Sequence, residues 1–329
     1  MKKYILDFSM NQTMDASSKA RDDISNIMYD EGFQTLYYNK GKNIFSKFYS
    51  YITVLLSLKF FSSIVLVQYP LNQKIFNSFI IKHFFPKNSI VLVHDIESIR
   101  LRKKEKDIIE EIDYLNNFKY KIIHNNKMKQ ICLDYNLREE IVELEIFDYL
   151  ISDIGEKNNL FKKGIAFAGN LSIAKSPFLY DINNIDLHLY GNNFEEEKNI
   201  GRIIYKGKYP AEILPSKFNE KFGLVWDGTS KNECDQYLKY NNPHKFSLYI
   251  ASYMPVIVWE KSAIADFVKK YNIGVVVGSL DEINNKILEI SNDEYVLMQK
   301  NIKIIAERLH DGYFTKKSVN ECIKMMEDK

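Results

Sequence analysis

Lys245 stands in the segment N-P-H-K, residues 242–245, where a helix is expected to begin. Pro243 suits the first turn of a helix and Asn242 can cap it, so the lysine ammonium is carried close to backbone N–H groups at a positive helix end. A cation beside fixed amide donors suits a diphosphate; the plainer alternative is a solvated lysine. His244 reads as a cap or packing histidine. A second anion candidate is F-A-G-N-L-S at 167–172, where Gly169 allows close backbone approach after a buried strand and Asn170 or Ser172 can cap a helix. Lys175 follows it, either as a ligand or as ordinary surface. Asp266, near a later helix start, either accepts hydrogen bonds from ribose hydroxyls or complements the helix dipole. Tyr205 and Tyr209, in Y-K-G-K-Y-P-A-E, offer flat faces for a nucleobase or serve packing alone.

The first half offers proton-transfer chemistry instead. V-L-V-H-D puts His94 and Asp95 at the carboxyl edge of an apolar strand, where one of them could take a proton from a hydroxyl. The competing reading makes Asp95 a helix cap and His94 a core residue. The loop at 9–15, S-M-N-Q-T-M-D, lacks the glycine fingerprint of dinucleotide binding, which counts against a nicotinamide-dependent epimerase or oxidoreductase. There is no D-x-D motif to hold a divalent metal, and Cys132, Cys234 and Cys322 have neither zinc-ligand nor disulfide-framework spacing. No metal and no cofactor are expected.

These residues need rigid elements to position them. Strand-like runs at 4–8, 64–68, 90–94, 121–124 and 141–144 alternate with helical segments, and the pattern restarts after 164 with G-I-A-F-A-G-N-L, I-D-L-H-L-Y-G, R-I-I-Y-K-G, F-G-L-V-W, M-P-V-I-V-W and I-G-V-V-V. Strands alternating with helices imply parallel, doubly wound α/β sheets that bind ligands at their carboxyl edges. At 329 residues the chain exceeds what one core usually supports. The aperiodic stretch at 148–164 marks the boundary: an N-terminal Rossmann-like domain at 1–155, a C-terminal Rossmann-like domain at 156–310, and a last helix at 311–329 placed to cross back to the first.

With 45 basic and 43 acidic side chains the net charge is +2, which gives no global reason to expect nucleic acid. The N-terminal apolar run is interrupted by Asp7 and is too short for a signal peptide. No transmembrane segment is expected, and the location is read as cytoplasmic. Peripheral contact with an anionic membrane is an open alternative to a solvated face: Lys47 and Lys59 flank an aromatic amphipathic segment, and Arg100, Arg102, Lys103, Lys104 and Lys106 cluster. A homo-oligomer is equally open.

The blocks V-H-D-I-E, I-F-D-Y-L, A-G-N-L-S, F-G-L-V-W-D-G, L-K-Y-N-N-P-H-K-F-S-L-Y, P-V-I-V-W-E-K-S-A-I-A-D-F and I-G-V-V-V-G-S span most of the chain. Together they resemble the GT-B glycosyltransferases of bacterial surface polysaccharide synthesis, in particular the β-1,6-galactofuranosyltransferases. More distantly, F-G-L-V-W, Lys245 and G-Y-F-T-K-K are similar to the streptococcal glucosyltransferases that extend GlcNAc on adhesins. The resemblance implies two Rossmann-like domains facing a cleft, with a UDP-sugar donor held mainly by the C-terminal nucleotide-sugar domain and a glycan, glycolipid or glycoprotein acceptor approaching from the N-terminal acceptor domain. It further implies Lys245 on the diphosphate with Lys175 assisting, Tyr205 or Tyr209 at the uracil, and Asp266 at the ribose or sugar. The paired glutamates of many retaining GT-B enzymes are absent, with Tyr240 and Leu248 near those places. That absence fits inversion, with Asp95 as base. The rival reading is a catalytically silent nucleotide-binding partner, which release of UDP on adding donor and acceptor would separate from an enzyme.

Overall fold

The computed structural model describes residues 2–7, 16–38, 43–61, 64–71, 74–138, 140–151, 163–182, 184–195, 202–228 and 235–328. The loop at 9–15, Cys234 and most of the 148–164 stretch lie outside the described residues. The chain divides into two compact units: Ser17–Phe147, together with the first strand and the segment from Gly312 onward, and Asp148–Asp311.

The first unit holds six parallel strands, β1 (Lys3–Asp7), β2 (Phe33–Tyr37), β3 (Ile64–Tyr69), β4 (Ser89–Val93), β5 (Tyr120–Ile123) and β6 (Ile141–Glu143), in the order β2-β1-β3-β4-β5-β6. Every residue of β3, β4 and β5 is buried, which is why I-V-L-V-Q-Y and S-I-V-L-V read as continuous apolar runs rather than alternating ones. Strand order reverses between β1 and β3, so the carboxyl ends there carry the crevice expected of an open α/β sheet. The helix Tyr313–Glu327 packs on β5 and β6 of this same unit.

One histidine in this core makes the unit acid-sensitive. His124 is fully buried just past β5 and meets the Phe147 ring edge-on at 4.9 Å. Burial lowers its pKa to about 4, only partly offset by hydrogen bonding to the Val93 and His94 backbone. The unfolded chain, with an ordinary imidazole, then binds the extra proton between pH 6.5 and 4, so stability is full above that window and falls as pH drops through it. The loss is about 3 kcal/mol in all. His124→Gln should flatten the dependence of the urea midpoint on pH across this range.

The second unit repeats the plan with β7 (Ile165–Asn170), β8 (Leu187–Asn192), β9 (Ile203–Gly207), β10 (Phe222–Val225), β11 (Val256–Trp259) and β12 (Gly274–Val277). All pairs are parallel and the order is β12-β11-β10-β7-β8-β9, which reverses between β7 and β10. The helix His244–Ala251 lies across this reversal, and it can do so because position 223 on β10 has no side chain. A Cβ at Gly223 would sit 2.3 Å from the Tyr249 ring. Tyr249 is completely buried, and its hydroxyl accepts the Ala168 N–H at 2.7 Å, tying the helix to the end of β7. Gly223→Ala should therefore cost about 1–3 kcal/mol, read as a lowered denaturant midpoint with little change in m value.

Candidate active site

Where β7 and β10 part, a cavity of about 510 Å³ opens within the second unit. That volume lies within the range of small-molecule sites, and the position is the topological switch point. Its floor is backbone: Gly169 and Asn170 end β7 in register with Gly191 and Asn192 of β8. The two strand ends converge so closely that a Cβ at Gly191, where φ is +151°, would lie 1.8 Å from the Gly169 carbonyl oxygen. Asn170 caps no helix. Its Oδ1 accepts the Ser172 N–H at 3.1 Å and an Asn193 amide N–H at 3.3 Å, closing a turn that leads only to the short 3-10 segment Pro177–Tyr180.

Lys245 enters this cavity from the first turn of His244–Ala251. Its Nζ donates to the Trp226 carbonyl at 3.0 Å and to Asp227 Oδ1 at 2.7 Å, and sits 4.6 Å from the centre of the Phe167 ring. The side chain is only 15% exposed, so its direction is set by the fold rather than by solvent. An ammonium has three N–H donors; two are committed to these oxygens, and the third is available to an anion in the cavity. The expected cap differs. Pro243, with φ −69° and ψ 135°, is itself the residue that precedes the helix and makes no side-chain hydrogen bond to cap it, and Asn242 is buried beside it. The helix amino end nonetheless faces the cavity through Pro243, His244 and Lys245.

The aromatic wall is selective between the two candidate tyrosines. Tyr209 lines the cavity with Lys217 stacked on its ring, whereas Tyr205, on the edge strand β9, turns away to stack on Phe194 and donate to the Gly191 carbonyl at 2.9 Å. Lys175 and Asp266 are exposed, and neither lines the cavity. Sequence reasoning missed other wall residues: Tyr149, whose ring meets His244 at 5.1 Å, Lys208, Asp227, and Tyr190. Burial and the neighbouring Glu220 carboxylate, which accepts the Tyr190 hydroxyl at 2.8 Å, raise the Tyr190 pKa and keep it neutral. Lys208 and Asp227 do leave a trace in the sequence, since each falls one or two residues past the end of a strand, in Y-K-G-K and V-W-D.

In the first unit, His94 and Asp95 follow β4. His94 stacks on Phe147 and its Nε2 lies 2.8 Å from Gln68 Oε1, within a chain that continues from Gln68 through Ser25 to Asp7. Asp95 does not cap the helix Glu97–Arg100. The Glu97 and Ser98 amides are taken instead by the buried Glu111 carboxylate, at 2.9 and 2.6 Å. The Asp95 carboxylate is about one-third exposed and faces the Arg100 guanidinium at 3.7 Å. Among the described residues no group of three or more His, Cys, Asp or Glu side chains is placed to hold a metal ion, and no helix is long and apolar enough to cross a membrane.

Solved structures share this two-unit fold. Sucrose-phosphate synthase from Thermosynechococcus elongatus superposes with a TM-score of 0.62 at 11% identity over 100% of both chains. Anabaena Alr3699/HepE in complex with UDP-glucose gives 0.62 at 13% over 99% of this chain and 100% of that one. The fold is that of a GT-B glycosyltransferase. Residues 2–146 match the glucosyltransferase 3-like N-terminal domain and residues 165–322 the corresponding C-terminal domain. Over 271 residues, 79% of each chain, the sequence is 32% identical to the β-1,6-galactofuranosyltransferase WbbI of Escherichia coli K12. It is 30% identical over 168 residues to glucosyltransferase 3 of Streptococcus parasanguinis, covering 49% of this chain and 48% of that protein. The chain belongs to the glucosyltransferase 3-like family and is a glycosyltransferase.

Proposed function

We propose that this enzyme transfers a hexosyl unit, galactofuranose in first place and glucose in second, from a UDP-sugar to a glycan or lipid-linked acceptor, with inversion and without a divalent metal. The observation that carries the reading is the Lys245 ammonium, held inward at the switch-point cavity with one donor left for a phosphoryl oxygen. Lys208 adds a second positive charge, and the helix amino end supplies amide dipoles, so the charge that develops on departing UDP is met where it forms. Tyr209 and Tyr149 offer aromatic faces for uracil. Asp227 keeps Lys245 in place before the donor arrives, and Lys175, Tyr205 and Asp266 have no role in this arrangement.

Asp95 is the base. It removes the proton from the acceptor hydroxyl, the oxygen attacks the anomeric carbon, and the bond to the β-phosphate oxygen breaks with its electron pair leaving on UDP. The name of the Escherichia coli relative specifies a β-linked product, and forming one from an α-linked UDP donor is an inversion. Support for the nucleotide comes from the UDP-glucose complex of the Anabaena protein. The test is a panel of UDP-sugars with a lipid-tagged glycan acceptor, scored for UDP release and for the anomeric configuration of the product. Acceptor-dependent UDP release, strongest with UDP-galactofuranose and giving a β-linkage, is expected. Absence of acceptor-dependent release with every donor would sink the proposal.

A further inference from the structure

The first unit carries a surface that the donor cavity does not explain. The helix Ile44–Phe60 buries Val54, Leu55 and Leu58, yet its opposite side is also apolar. Phe45, Phe48, Tyr49, Ile52, Leu56 and Phe60 recur at helical spacing on that outward side, with Phe45 82%, Tyr49 74% and Phe60 65% exposed. Soluble surfaces rarely leave so contiguous an aromatic stripe uncovered. Phe61 at its end and Phe79 on the neighbouring helix Ser78–Phe84 extend the exposed area.

Charge identifies what covers it. Between Glu31 and Asp95 the chain contains no Asp or Glu, while seven lysines fall in the same stretch. Cations frame the stripe and rest on its rings: Lys59 lies 5.8 Å from the Phe60 ring centre and 5.1 Å from that of Phe84, and Lys2 lies 5.1 Å from that of Phe61. Beside the helix, a groove of about 420 Å³ is walled by Tyr38, Phe48, Tyr51 and Ile80, with Lys47 and Lys74 also lining it. Aromatic side chains flanked by lysine ammonium groups are the arrangement an anionic lipid surface selects: rings at the acyl boundary, ammonium groups among the phosphates. The basic cluster at 100–106 is less suited, since Arg100 faces Asp95 and Glu97, and Lys106 faces Glu110.

We propose that the outward face of Ile44–Phe60 docks flat on an anionic phospholipid bilayer, its aromatic stripe inserted at the headgroup boundary and Lys47, Lys59 and Lys74 on lipid phosphates. The inference does not rest on the donor reading, because vesicle binding and UDP binding are measured separately. The test is co-sedimentation of the full chain with vesicles of phosphatidylcholine alone and of equal parts phosphatidylcholine and phosphatidylglycerol. Wild type partitions onto the anionic vesicles, and less as salt is raised. The variant F45Q/F48Q/Y49Q, which retains good helix formers, lowers the partition coefficient about tenfold or more while UDP affinity and circular dichroism stay unchanged. A second variant, K47E/K59E, abolishes the preference for anionic over neutral vesicles and leaves the stripe intact. Failure of wild type to bind anionic vesicles, or equal binding by wild type and both variants, overturns the proposal. So does a concentration-dependent dimer in sedimentation equilibrium that the aromatic variant breaks without any vesicle binding, which would make the stripe a face between copies of this chain.

Discussion

Lys245→Ala is expected to lower kcat/KM for the UDP-sugar by about two to three orders of magnitude, on the order of 3–4 kcal/mol of transition-state stabilisation. The substitution removes the ammonium that the fold aims into the switch-point cavity. Folding should survive it. Asp227, which loses its partner, is 38% exposed on its side chain and can be hydrated, so the lost charge pair leaves no buried carboxylate behind. Lys245→Arg keeps the charge but replaces a compact head by a planar fork that must fit between Trp226, Asp227 and Phe167, and should recover only part of the activity. Steady-state kinetics at saturating acceptor, alongside a thermal melt of each variant, reads both effects. A melt unchanged together with activity within threefold of wild type would remove Lys245 from the donor site.

Asp95→Asn should have an effect of comparable or greater size, a fall of about 10²–10⁴ in kcat with the affinity for UDP unchanged. The separation follows from chain organisation, since Asp95 belongs to the first unit and the cavity holding Lys245 to the second. The isosteric amide keeps the shape of the side chain, and the helix Glu97–Arg100 keeps its amide partners on Glu111, so the change removes the basic carboxylate and its pairing with Arg100 while leaving that turn in place. His94→Asn is a control with a different outcome: it disturbs the stacking on Phe147 and the bond to Gln68, and should lower stability as well as rate. If Asp95→Asn retained near-full kcat while His94→Asn lost it, the base would be the histidine.

Much of this architecture is legible in the chain because buried parallel strands announce themselves. M-P-V-I-V-W and F-G-L-V-W are apolar on both faces and bounded by Pro, Gly or Asp, so residue types alone are enough to place β10 and β11. The strand that escapes such a reading, β2, is an edge strand whose F-Q-T-L-Y has one buried residue and an otherwise partly exposed face, giving neither an apolar run nor a clean alternation. The site divides along the same line. Gly169, Asn170 and Lys245 sit where a strand ends or a helix begins, and secondary structure alone decides where they go. Tyr205 and Tyr209 are four residues apart on similar sequence, and only the pairing of β9 at the sheet edge turns one onto Phe194 and the other into the cavity. Asp227 and Lys245 meet from positions 18 residues apart, a pairing that no periodicity in the sequence announces. The aromatic stripe on Ile44–Phe60 is visible as composition, but which of its faces is buried depends on the packing of Val54, Leu55 and Leu58 against the unit.

The diphosphate contact of Lys245 is tested most directly by calorimetric titration of wild type and Lys245→Ala with UDP and with uridine. Wild type should bind UDP at least about a hundredfold more tightly than uridine, and the substitution should shrink that gap by about tenfold or more while leaving uridine affinity nearly unchanged, as expected when a charge-assisted hydrogen bond to phosphate is removed. An identical gap in the two proteins would place the diphosphate away from Lys245 and contradict the account.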